Sequence, residues 1–258
     1  MWYFSPIMGR VAQSLIKRVQ TELPRGAPFS LDTLERMGVS AKLAAYYAES
    51  GWLTRLGQGV YGFPSDDLNP YGAVKLLQGR VAGLHIAGKS ALALQGVRHN
   101  LARHDPLVLW GDVRFALPNW FTSHFQARYA AARLFNWPDE TLRTRTLTTP
   151  PGMTEGLHVS VPERAVLEML YDVGTHQGLE EARNLFDGLR NLRKGVLEQM
   201  LLCCTSVKVV RLFLTWARET QVVDVDALLK QHALPVGSEK RWMSRLKDGT
   251  LLILKPHG

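Results

Sequence analysis

Two short stretches of this chain hold residue types whose spacing can do chemistry, and they point in different directions. Trp52 to Phe63 (WLTRLGQGVYGF) sets Arg55 and Gln58 around the turn Leu56-Gly57-Gln58-Gly59, between two β-prone runs. A hairpin tip of this kind can lay a glycine backbone on a phosphate, and its guanidinium can enter a narrow minor groove. Gly83 to Ser90 (GLHIAGKS) formally satisfies G-x-x-x-x-G-K-[ST]. In that pattern backbone amides cradle phosphates, Lys89 would reach the β/γ oxygens and Ser90 would hold magnesium. Leu107 to Asp112 (LVLWGD) can pose as the accompanying strand with an acidic ligand at its end.

The elements needed to position the second set are not legible. A phosphate loop follows a buried strand, whereas residues 70–82 read as a helix. The residues between its glycines are Leu84, His85, Ile86 and Ala87, where small or glycine-rich residues are usual. The surroundings lack the alternating strand–helix pattern of a parallel sheet. GKSAL therefore reads as part of a packing helix, with Ser90 as a helix cap. A metal-dependent nuclease is no better served, because no Glu-x-Lys or Asp-x-Lys occurs. Asp224 and Asp226 sit at a helix start, where capping and the helix dipole explain both. The eight histidines show no H-x-x-x-H spacing. Neither an enzyme, a metal nor a cofactor is expected.

The elements around the first set are complete. Leu15, Ile16 and Val19 recur at helical spacing, and Pro24, Gly26 and Pro28 end that helix. Ser30 can cap a second helix with Leu31, Leu34 and Met37 on its inner stripe, and Gly38 supplies the turn. Ser40 caps a third helix that Gly51 closes. On it Leu43, Ala44 and Tyr47 should point inward, while Ser40, Ala41, Lys42, Ala45, Tyr46 and Glu49 point outward. A helix of this kind fits the major groove. Its outer face holds one cation and one carboxylate, so base readout should be modest and the hairpin's share larger. Three helices and a hairpin predict a winged helix-turn-helix contacting duplex DNA through Ser40, Ala41, Lys42, Tyr46, Arg55, Gly57, Gln58 and Gly59.

Charge agrees. The 258 residues carry a formal +8 with pI near 9.7, which favours a polyanionic partner. Residues 1–65 hold +3, 66–150 hold +4 and 151–258 only +1. Nucleic acid contact is expected toward the front and a different task behind it. Cys203 and Cys204 are neighbours in an apolar helical run. They cannot staple the fold and read as buried thiols of a cytoplasmic protein. No apolar run reaches a membrane span, and MWYFSPIM lacks the basic flank of a signal peptide. That stretch reads as a structured extension or as a start placed before a natural Met8.

Past Pro64-Ser65-Asp66-Asp67, read as a linker, the pattern is α+β. Helices are predicted at 70–82 and 89–97. Strands are predicted in Pro106–Leu117 (two, joined at Gly111-Asp112), Phe125–Leu134, Thr144–Leu147 and Leu157–Val161. Helices follow at 162–173, 178–190, 193–204, 206–219 and 225–232, then a final strand at Thr250–Leu254. The fold class expected is thus a winged helix-turn-helix at 1–65, then a larger α+β domain at 66–258. The latter divides into a small antiparallel sheet (66–161) and a helical bundle (162–258).

Three blocks in order, FSLDTLERMGVSAKLAAYYAESGWLTRLGQGVYGFP, IAGKSALALQGV and LHVSVPERAVLEMLYDV, resemble the AbiEi-type antitoxins of bacterial abortive-infection toxin–antitoxin systems. The resemblance weakens beyond about Leu202. It implies that the winged helix represses the chain's own promoter by binding inverted repeats in double-stranded DNA. It also implies that the larger domain neutralises a co-encoded nucleotidyltransferase-like toxin, with no membrane involved. Lys89, Ser90, Glu163 and Arg164 fall in the matching blocks of that domain. Glu163 in a first helical turn and Arg164 beside a carboxylate also have plain structural readings. An alternative is a regulator whose C-terminal domain senses a ligand or another partner.

Overall fold

The computed structural model describes residues 6–98, 105–190, 192–247 and 249–255. Of the extension read at Met1–Met8, residues 1–5 lie outside the described residues and Pro6 to Met8 begin α1. In chain order the elements are α1 (Pro6–Glu22), β1 (Phe29–Ser30), α2 (Leu31–Arg36), α3 (Ala41–Glu49), β2 (Thr54–Gly57), β3 (Val60–Gly62), α4 (Pro70–Gln78), β4 (His85–Ile86) and α5 (Gly88–Leu94). There follow β5 (Leu107–Gly111), α6 (Asn119–Thr122), β6 (Ala127–Ala131), α7 (Glu140–Arg145), β7 (Leu147–Thr148), β8 (Val159–Ser160) and α8 (Pro162–Asp172). The chain ends with α9 (Leu179–Asp187), α10 (Lys194–Cys203), α11 (Val207–Thr220), α12 (Val225–Gln231), β9 (Trp242–Arg245) and β10 (Leu251–Leu254). It is a mixed α+β protein of two compact units, one reaching to Arg80 and including 116–125, the other formed by 81–115 and 126–258.

In the first unit, α1 to α3 pack with an antiparallel sheet of order β1-β3-β2. Its core includes Ile16, Val19, Phe29, Leu34, Tyr47 and Phe63. Ser30 and Ser40 cap α2 and α3, their hydroxyls accepting from the Thr33 and Leu43 amides at 3.1 and 3.3 Å. The unit extends past the stretch read as a linker because that stretch is fastened to it. Asp66 accepts from the Gly26 amide and pairs with Arg25, and the Asn69 amide donates to the Gly26 carbonyl. Asn69 then caps α4, and Pro70 takes its first position, where the missing N–H is harmless.

The second unit holds a five-stranded sheet of order β6-β5-β4-β8-β7. It is mixed, not antiparallel as expected: β5 runs parallel to β6 and β4 parallel to β8, while β4–β5 and β7–β8 are antiparallel. The expected second strand after Gly111-Asp112 does not form. Parallel pairing needs a crossover of a dozen residues or more, and the stretch between β5 and β6, which carries α6, provides it. Thr144, expected in a strand, lies in α7 because Asp139 caps that helix, accepting from the Leu142 amide at 2.7 Å. Around the sheet α5, α9, α10 and α11 pack against α8, which is buried over most of its length. The helices from residue 162 onward fall where the periodicity placed them, to within two or three residues. Strand β10 has an unforeseen antiparallel partner, β9. The chain leading to β9 is pinned by the buried Arg211, which donates to the carbonyls of Val236, Ser238 and Lys240.

Candidate nucleic-acid interface

Helix α3 divides as its sequence demands. Ala44 and Tyr47 are buried and Leu43 and Ala45 half-buried, while Ser40, Ala41, Lys42, Tyr46 and Glu49 are exposed. The Tyr47 hydroxyl donates to the Ala12 carbonyl, which ties the inner face of α3 to α1. Burial pushes the Tyr47 phenol up.

The β2–β3 hairpin presents Arg55 and Gln58 to solvent. The two glycines at its tip differ in what they do. Gly59 has a left-handed φ of 63°, a conformation glycine adopts without steric cost. The Gly59 carbonyl accepts from the Leu31 amide at 2.9 Å and from Arg80 Nη2 at 3.3 Å. Gly57, read from the sequence as leaving room for a phosphate, has its open side filled. A Cβ there would stand 2.8 Å from Cδ1 of Trp120, so the missing side chain makes space for an indole. The tip thus gathers Gly57, Gln58 and Gly59 with Leu31, Arg80 and Trp120.

The phosphate-loop pattern is occupied by other work. Strand β4 lies inside it rather than before it. The Gly88 amide donates to Glu168 Oε2 at 3.1 Å, and Lys89 Nζ pairs with Glu181 at 3.0 Å and Asp105 at 3.2 Å. Ser90 is not the cap of α5, since the helix already starts at Gly88. Its hydroxyl instead accepts from the Val108 amide of β5 at 2.9 Å. A Cβ on Gly83 would strike the Asp112 carboxylate. The Gly88 amide and Lys89 thus serve protein carboxylates, and the Ser90 hydroxyl serves the sheet.

Two family models cover the chain. Residues 12–103 match the transcriptional regulator, AbiEi antitoxin N-terminal domain, and residues 104–253 match the transcriptional regulator, AbiEi antitoxin of the type IV toxin–antitoxin system. The chain belongs to the AbiEi antitoxin family. Its fold is similar to the crystal structure of the RV2827C protein from Mycobacterium tuberculosis, with TM-score 0.58 and 15% identity, over 94% of this chain and 90% of that one. No curated protein matches it in sequence.

In this AbiEi antitoxin the block beginning Ser160-Val161-Pro162 is the polar heart of the second unit. Glu168, fully buried on α8, accepts from four groups: Arg164 Nε at 2.7 Å, Ser160 Oγ at 2.8 Å, His85 Nε2 at 3.0 Å and the Gly88 amide. Burial alone would push the Glu168 carboxyl up. The Arg164 and His85 charges and the hydrogen bonds from His85 and Ser160 outweigh it and hold the group down at about 2. His85 Nδ1 lies 2.7 Å from the Gly83 carbonyl, so the ring spans that carbonyl and the Glu168 carboxylate. Arg164 also donates to Thr146 and lies 5.1 Å from the Trp137 ring centroid. Glu163 is buried and takes the Arg193 amide and guanidinium. Burial opposes ionisation of Glu163, and its bonds to Arg193 lower it nevertheless.

Asp224 caps α12 through the Ala227 amide, as expected, and Asp226 in its first turn pairs with Arg218, which the sequence did not indicate. Burial raises both cysteine thiols, that of Cys204 to about 11. Among the described residues no helix is long and apolar enough to cross a membrane. Sequence reasoning missed Arg80, Trp120 and the exposed Trp52 in the first unit, and His85 and Glu168 in the second. A periodicity shows that an element exists, but it carries no sign of a partner about twenty, sixty or eighty positions away.

Proposed function

We propose that this AbiEi antitoxin represses its own operon through a winged helix spanning residues 9–64. Its second unit would neutralise a co-encoded nucleotidyltransferase-like toxin. The observation that carries the first half is the α3 face of Ser40, Ala41, Lys42 and Tyr46, exposed in the same unit as a hairpin presenting Arg55 and Gln58. The N-terminus of α3 favours phosphate beside Ser40 and Lys42. Arg55 is the groove-entering cation, Gln58 and Gly59 lie at the backbone tip, and Gly57 supports that tip from behind. Arg80, bonded to the Gly59 carbonyl and exposed, adds a cation at the same place.

For the second half, support comes from the family itself, an antitoxin of type IV systems. Lys89, Ser90, Glu163 and Arg164 contribute by holding the second unit's fold rather than by touching a partner, since each is engaged inside it. The direct test of the first half is a promoter-fragment shift assay comparing wild type with Lys42→Ala/Arg55→Ala. The double variant should bind at least about tenfold more weakly. Unchanged binding refutes this choice of contacts. For the second half, co-expression with the neighbouring toxin reading frame should restore growth, and continued toxicity refutes neutralisation.

A further inference from the structure

The hairpin of residues 54–62 is held by more than its own motif. On one side the Gly59 carbonyl takes the Leu31 amide and Arg80. On the other, β2 packs on α6. There Trp120 is almost fully buried, and its indole takes the room left by Gly57. A Cβ at residue 57 would meet Cδ1, Cγ and Cβ of Trp120 at 2.8, 3.2 and 3.3 Å, so no side chain fits without moving the hairpin or the ring. Trp120 is itself set in place. Phe121 meets it edge-on at 5.7 Å, Phe125 meets Phe121 at 5.1 Å, and His124 Nδ1 contacts the Trp120 carbonyl at 2.8 Å. At the tip the Trp120 indole meets Gly57 through shape.

We infer that Trp120 is a positioning residue for DNA recognition: it sets the wing by filling the space that Gly57 leaves. The inference rests on the winged-helix reading above. It adds a residue some sixty positions downstream of the motif, in the crossover between β5 and β6. The wing's support is therefore spelled by a segment whose two ends are strands of the other unit's sheet.

A double-mutant cycle on the full-length chain tests this, using a duplex of its own promoter region and thermal melting. Trp120→Ala should weaken binding by roughly tenfold, and Gly57→Ala by a similar factor. The slope of log affinity against log salt should stay unchanged in both, because no phosphate contact is removed. Trp120→Phe should retain most of the affinity. In Gly57→Ala/Trp120→Ala the new methyl enters vacated space, so the loss should be clearly smaller than the product of the single losses. Multiplicative losses, or wild-type binding by Trp120→Ala, would overturn the inference. Should Trp120→Ala not fold, Gly57→Ala and Trp120→Phe carry the comparison: wild-type affinity in Gly57→Ala overturns it. A wild-type chain that binds no promoter DNA is a different failure, that of the repressor reading. The melting cycle would still show whether residues 57 and 120 are coupled.

Discussion

At the scale of single residues, the firmest energetic statement concerns Glu168. Removing one partner of a buried charged cluster leaves the others unpaired, at a cost of about 3–5 kcal/mol. Glu168→Ala strands Arg164 and His85 together, so it should lower the melting temperature more than any surface variant. Denaturant unfolding measures it. The same residue predicts an acid limb. Its folded carboxyl lies near 2, below the model-compound value of 4.5. The stabilisation is present above about 4.5 and is lost as pH falls from there toward 2. Glu163, also lowered, adds in the same direction, whereas Asp172, raised by burial, opposes them. Stability of Glu168→Gln should therefore vary less with pH over that window than wild type. Equal slopes would mean that the carboxylate is not held as described. Beyond Glu163 in a first helical turn and a carboxylate partner for Arg164, none of this was legible in the sequence. His85, Ser160 and Glu168 are brought together by pairing of β4 with β8, which no local pattern predicts.

At the scale of elements, caps and periodicity carried most of the reading. Ser30, Ser40 and Asp224, expected as caps, each accept from a backbone amide at a helix start, and so do Asn69 and Asp139, which were not expected to. Ser40→Ala should cost about 1 kcal/mol and fray the start of α3. Amide exchange at Leu43 would report it, and unchanged protection there would contradict the capping role. Sheet order was harder. Two-residue strands such as β4 and β8 are too short to show alternation, and the parallel pairs depend on long crossovers. The GLHIAGKS segment has the spacing of a phosphate loop, but it reads as a packing helix from its context, and its donors are committed to Glu168, Glu181 and Asp105. Arg80 is the element-level addition at the hairpin. Arg80→Ala should weaken promoter binding and lessen its salt dependence, where Trp120→Ala leaves that dependence alone.

At the scale of the whole molecule, the linear motif and the packing unit do not coincide. The first unit needs α4 and the 116–125 segment, both outside the winged-helix stretch. A fragment ending at residue 65 loses Trp120 from behind Gly57, so it should bind promoter DNA more weakly than the full chain. A fragment of 66–258 carries Trp120 and Phe121 without the unit that buries them. It should aggregate unless 116–125 is shortened or made polar. Light scattering and size exclusion decide this, and a monodisperse 66–258 fragment would contradict it. The basic front and the balanced back are visible in composition, whereas the assignment of 116–125, between β5 and β6, to the first unit left no compositional mark.

The central claim is that an exposed α3 face and a braced hairpin hold duplex DNA through phosphate contacts. Its most direct measurement is the salt dependence of binding to the chain's own promoter fragment, for wild type and for Lys42→Ala/Arg55→Ala. A steep negative slope of log affinity against log salt is expected for wild type, shallower by about 2 in the double variant. A wild-type slope near zero, or identical slopes for the two proteins, would contradict it.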